Sequence, residues 1–180
     1  MLFKNQNYSN FYEYEKRLLL ILNEDPYLSF KSLSQNMVNV IRRNKSDSME
    51  KFFTMYRADN YYMMNSYVSL CEYYKEKGEI DRSLTFASLA TITGFTKIVN
   101  TLSKRNVSFE YTSLEAFMQE ASFYDDVIEW GIKNNFWKIL NILAELTKGD
   151  GDDNFAISLL TVLSDYSPVE YYRREALLML

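Results

Sequence analysis

The chain has 180 residues and a net charge of -4, from 20 Lys and Arg against 24 Asp and Glu, with no histidine. Gly (5) and Pro (2) are too scarce to punctuate many short strands, which excludes an all-β fold, while 47 % apolar residues suffice for a sizeable core. The missing histidines exclude the common zinc sites and histidine-based triads, and the acidic balance lacks the Lys and Arg surplus that non-specific nucleic-acid binding needs.

Charge is unevenly placed. Residues 1–58 carry nine Lys and Arg against six Asp and Glu, and residues 59–180 carry eleven against eighteen. Ser9 precedes a helical run with Phe11, Tyr14, Leu18, Leu19 and Leu22 at apolar positions, ended by Asp25-Pro26. A second helix is expected over 29–43, with Phe30, Leu33, Met37, Val40 and Ile41 on one face. Its end carries the one basic knot, Arg42, Arg43 and Lys45, where helix carbonyls favour cations. Asp47 and Glu50 open a short helix to about Arg57.

Asp59 or Asn60 is expected to cap a strong helix to Lys77, with Met63, Tyr67, Leu70, Cys71 and Tyr74 in one stripe. Gly78 ends it, since glycine adopts positive φ at little cost. The next helix is expected over 80–93, closed by Gly94. Ser83, Ala87 and Ala90 form a small-residue side that lets it approach the preceding helix. Another helix covers 96–104, and 106–111 is a connector with some strand character.

Thr112 and Glu115 read as a capping box for a short helix to about Ala121. Ser122 opens the next helix, with Val127, Ile128 and Gly131 inside it, and Asn134-Asn135 breaks it. Residues 136–147 are strongly apolar, 148–152 are the clearest loop, and Asp153 caps a helix over 155–164. Ser167-Pro168-Val169-Glu170 combines an N-cap, a proline at the first helical position and a capping-box glutamate. That last helix reaches Leu180 and finishes on Leu177, Leu178, Met179 and Leu180 with no polar tail. Such an end docks on the core, packs against another chain, or marks a cut in a longer array.

Little of this carries chemistry. Cys71 stands in an apolar stripe and reads as a small core residue, and as the single cysteine it allows no intrachain disulfide. No phosphate-cradling glycine motif is present. Asp150-Gly151-Asp152-Asp153 would suggest calcium, but the twelfth residue of such a loop is Thr161 where a bidentate acid is needed, so a loop and cap explain it better. Asp125, Asp126 and Glu129 are acids at a helix start, where the dipole favours them. Tyr61, Tyr62, Tyr67, Tyr73 and Tyr74 cannot all share one stripe, so some tyrosine is exposed, as at many interfaces. The longest apolar run, 18–22, is far short of a membrane span, and no signal peptide is evident at the N-terminus. A cytoplasmic chain is expected, with export after loss of a signal peptide as the alternative.

Residues 64–93 resemble a tetratricopeptide repeat, a helix pair with W-x2-L-G-x2-Y in its first helix and A-x3-F in its second. The first part reads Tyr67-x2-Leu70-Cys71-x2-Tyr74, Gly78 follows at the turn, and Ser83-x3-Ala87 and Ala90 occupy the small positions. Tyr67 stands for Trp, Cys71 for Gly, Ser83 for Ala and Ala87 for the aromatic, and the terminal proline is missing. No second copy keeps the same positions. Residues 9–43, 123–147 and 153–180 supply helices of suitable length as degenerate relatives.

The resemblance implies an all-α fold of antiparallel helical hairpins stacked as a short tetratricopeptide-like α-solenoid, with a concave groove lined by first helices. One domain is expected over 1–180, divided into N-terminal helices (1–58), the repeat-like pair (59–94) and degenerate hairpins (95–180). By the resemblance, the groove contacts are Asn65, Val68, Ser69, Glu72 and Lys75. The expected function is non-catalytic binding of a partner peptide or helix, with no cofactor and no metal, as an adaptor, assembly factor or chaperone-like scaffold. The alternatives are a structural subunit that self-associates through Leu177, Leu178 and Leu180, and a carrier of a small molecule or lipid. An enzyme working with carboxylates alone is a further, weaker option.

Overall fold

The computed structural model describes residues 58–59, 61–106, 113–148 and 154–180. The expected helices before residue 58, the basic knot, the connector 107–111, Thr112, and the acidic loop with its cap at Asp153 lie outside the described residues.

The fold is all-α. A 3-10 turn, Tyr61–Met63, leads into α1 (Met64–Glu76), followed by α2 (Ile80–Arg105), α3 (Leu114–Ala121), α4 (Asp125–Lys133), α5 (Phe136–Lys148), α6 (Asn154–Tyr166) and α7 (Glu170–Met179). No strand occurs among the described residues.

The helix pair at the centre follows its sequence closely. Tyr67, Leu70, Cys71 and Tyr74 are buried along α1, and Gly78 turns the chain at φ +74. Ser83, Ala87 and Ala90 have no exposed surface, and the Ser83 hydroxyl donates to the Cys71 carbonyl at 2.9 Å. Large side chains on α1 and small ones on α2 let the two backbones close together. The chain runs antiparallel here: Tyr74 stacks on Phe86 near the turn, and Asn100 donates to the Tyr61 hydroxyl at the far end.

Gly94 does not end a helix. Residues 80–105 form one continuous α2, where two helices separated at Gly94 were expected. The glycine is kept for space. A Cβ at Gly94 would lie 2.1 Å from Cδ2 of Phe136, the first residue of α5. Phe136 reaches the α2 backbone there and meets Phe95 and Phe117 edge-on, at centroid distances of 5.6 and 6.2 Å. Gly131 does the same for Trp137, whose Nε1 would be 2.3 Å from an added Cβ. Trp137 is wholly buried and donates to the Ile128 carbonyl at 3.2 Å.

Other caps also move. Ser113 caps α3, accepting the Ala116 amide at 3.1 Å, in the role expected of Thr112. Ser122 does not open α4. Its hydroxyl donates to the Tyr166 carbonyl at 2.7 Å, and Tyr124 holds the N-cap position. The Ser-Pro cap before α7 is unused: the Ser167 hydroxyl makes no cap bond, its amide closes the last turn of α6 on Leu163, and α7 begins at Glu170 with Val169 at the N-cap. The Ser167 carbonyl instead accepts two donors from the Arg173 guanidinium. The break at Asn134-Asn135 is present, with Asn135 at φ 59.

The helices stack as hairpins. α2 packs on α1 and α5, α6 on α5, and α7 on α6 and α5, while α3 and α4 fill the ends between them. One cluster of buried side chains runs from Ala58 to Ala176. No described helix is long and apolar enough to cross a membrane.

Candidate functional site

α1, α5 and α7 lie side by side and run in the same direction. Asn135 donates to Asn65 at 2.8 Å, Lys138 pairs with Glu72, and Lys75 pairs with Glu145. Both members of these pairs rise together along the chain, so α1 and α5 are parallel, with two of the three contacts 70 residues apart. α7 continues the row. Asn141 donates to the Tyr172 carbonyl at 2.9 Å, and Lys148 donates to the Met179 carbonyl, each 31 residues apart. The offsets are 70, 66 and 70 residues between α1 and α5 and 31 in both contacts between α5 and α7, so partner positions rise together along each pair of helices.

The exposed edges of these helices form a polar strip. Glu72, Lys75, Lys138 and Glu145 keep between 34 and 49 % of their side-chain surface open to solvent. These four side chains carry two charges of each sign. Tyr172 comes within electrostatic reach of Lys138 and Glu72. Burial pushes its phenol above the ordinary value, although Lys138 pulls the other way.

Of the five residues that the repeat resemblance placed on a groove, four fall on this strip. Asn65 is exposed, and Ser69, Glu72 and Lys75 are half-buried. Each already has a partner within the chain, Ser69 through its bond to the Asn65 carbonyl. Val68 is different. It is 2 % exposed and belongs to the core, so it presents no side chain to a partner. The strip also includes Asn135, Lys138, Glu145 and Tyr172, which no local motif pointed to, because their role depends on which helix lies beside which.

Cys71 behaves as a core residue. It is fully buried, its sulfur lies 3.4 Å from the Ser83 hydroxyl, and burial pushes its thiol up to about 11. Among the described residues no group of three His, Cys, Asp or Glu side chains is placed to hold a metal ion. The acids at the start of α4 have a local use: Asp126 takes both arms of the Arg105 guanidinium, one at 2.7 Å, which ties the end of α2 to α4. Arg105 holds the Asp126 carboxyl below the usual range, and it also lies over the Tyr124 ring.

Large apolar side chains are exposed on α7 and its end: Tyr171, Leu177, Leu178 and Leu180. Ala176 alone in this helix is fully buried. Tyr62 is 75 % exposed while Tyr67 and Tyr74 are buried, so the crowded tyrosines divide between surface and core as the stripe geometry requires.

The fold and strip thus define an all-α stack of hairpins with one face of parallel helices. Among known proteins, the chain is similar to one described as uncharacterized from Treponema pallidum (strain Nichols), at 28 % identity over 167 residues, or 91 % of this chain. The chain spans about half the length (45 %) of that relative. No protein-family model and no solved structure matches.

Proposed function

We propose that the protein is a non-catalytic interaction module of the tetratricopeptide-like kind, which binds a peptide or helix of another protein along the strip formed by α1, α5 and α7. The observation that carries this reading is the parallel row of these helices, joined by side-chain contacts across α1, α5 and α7. Stacked hairpins place first helices side by side on one face, and the offsets of 70 and 31 residues agree with that arrangement. The strip offers amides and charges of both signs, which suit recognition of a peptide backbone and its side chains. The ion pairs across it are partly open to solvent, which keeps the cost of exchanging them for pairs to a partner low.

The test is capture from native extract, comparing wild type with an Asn65→Ala, Glu72→Ala double variant of matched circular dichroism. Retention by wild type and loss by the variant supports the reading. Equal retention by both moves the interface off the strip, and binding to neither removes the adaptor role.

A further inference from the structure

Between the C-terminal half of α2 and α4 lies a half-open cleft of about 140 Å³, lined by Lys97, Ile98, Thr101, Asp126, Val127 and Trp130. It is separate from the polar strip. Its floor is apolar: Ile98 and Val127 are 1 and 3 % exposed. Trp130 supplies an aromatic wall. Its rim is charged, but unevenly. The Asp126 carboxylate is neutralised by Arg105, which holds both of its oxygens. Lys97 has no carboxylate partner among the described residues, and its ammonium rests 5.4 Å from the centre of the Tyr61 ring. Asp59 accepts from the Tyr61 hydroxyl at 2.8 Å. The Thr101 hydroxyl donates to the Lys97 carbonyl and so brings no free donor to the cleft. Among the described residues, the rim is left with the Lys97 ammonium as a positive charge without a carboxylate partner, beside Ile98 and Val127.

Size narrows the occupant. At about 140 Å³ the cleft is close in volume to an enclosed apolar cavity that holds one benzene, about 150 Å³, so a single six-membered ring is the largest occupant it matches in size. We propose that the cleft binds a small ring-bearing carboxylate, with the ring against Trp130, Ile98 and Val127 and the acid group paired with Lys97. The indole face favours a flat ring, and the ammonium selects an anion over a neutral or cationic analogue.

The probe is benzoate, compared with benzamide and benzamidine, which keep the ring and change the charge. Binding is read from the Trp130 indole N–H in a nitrogen-15 correlation spectrum. The buried Trp137 indole, bonded to the Ile128 carbonyl, serves as the internal control. With so few atoms, benzoate is expected to bind at about millimolar concentration. Lys97→Met, which keeps the apolar stem, is expected to weaken it about tenfold and to abolish its advantage over benzamide. Val127→Phe fills the cleft and is expected to eliminate all binding, its fold being checked by the Trp137 signal. The proposal is overturned if benzoate leaves Trp130 unmoved at about 50 mM, if benzamide or benzamidine binds as well as benzoate, or if Lys97→Met binds benzoate unchanged. Asn65 and Glu72 variants are expected to leave benzoate binding intact, so failure of the strip reading and failure of this one are distinguishable.

Discussion

Gly94 and Phe136 are in contact so close that no other residue fits opposite the ring: a Cβ on Gly94 would sit 2.1 Å from Phe136 Cδ2. Gly94→Ala therefore sets two effects against each other. Alanine gains about 1 kcal/mol of helix propensity over glycine, while overpacking a dense core costs about 1–3 kcal/mol. Because the clash is with a ring walled in by Phe95, Phe117 and Trp137, the upper part of that range applies. A net loss of about 1–2 kcal/mol is expected in urea unfolding. In a Phe136→Leu background the loss should shrink, and a stabilised Gly94→Ala protein would falsify the contact.

Gly78 gives the opposite case. Its φ is +74, and nothing lies within 4 Å of an added Cβ. Gly78→Ala is expected to cost about 1 kcal/mol from backbone strain alone. Unlike the loss at Gly94, this one should be unaffected by Phe136→Leu, because no packing is involved.

Trp137→Phe removes a hydrogen bond and part of a fully buried ring. A loss of about 2 kcal/mol is expected. Fluorescence then comes from the half-buried Trp130 alone, so the emission maximum should shift to longer wavelength. An unshifted spectrum would mean that Trp137 is no more buried than Trp130.

The Arg105–Asp126 pair predicts a pH dependence of definite sign. The Asp126 carboxyl is held lower in the folded chain than in the unfolded one. Its stabilising effect is therefore present above the ordinary aspartate range and disappears as pH falls through the lowered folded value. The stability difference between wild type and Asp126→Asn should be small at neutral pH, smaller still in high salt, and absent in strong acid. A difference that grows on acidification would count against the pairing.

Cys71 should resist thiol reagents. It has no exposed surface, and its thiol is raised to about 11, so thiolate is rare at pH 8. Ellman's reagent is expected to label it only as fast as the α1–α2 pair opens, and stoichiometrically in denaturant. Rapid labelling of the native chain would show that the pair is not closed.

Much of the fold was legible because it depends on neighbours in sequence. The stripe of Tyr67, Leu70, Cys71 and Tyr74 and the small side of Ser83, Ala87 and Ala90 follow from a period of 3.6 residues, and the turn at Gly78 from glycine's freedom in φ. The same rules misread Gly94, since two glycines that look alike in sequence do different work. One turns the chain, and the other makes room for a ring more than forty residues away. Ser167 was misread for a related reason: a serine before a proline suits an N-cap, but its buried hydroxyl accepts no helix amide and Val169 holds the N-cap position.

The candidate site divides in the same way. Asn65, Ser69, Glu72 and Lys75 were placed on one face of α1 by the repeat resemblance. Their partners Asn135, Lys138 and Glu145 could not be placed, because no local signal says that α5 lies beside α1 in parallel. The resemblance put Val68 on that face too, yet the packed chain buries it. By itself the sequence determined helix content, the antiparallel α1–α2 pair and the core character of Cys71, all consequences of short-range periodicity and turn stereochemistry. The tertiary structure decided the parallel row of α1, α5 and α7, the continuity of α2 through Gly94, and the Lys97–Trp130 cleft. These rest on contacts between residues distant in the chain, where shape and charge are matched only after the helices have packed.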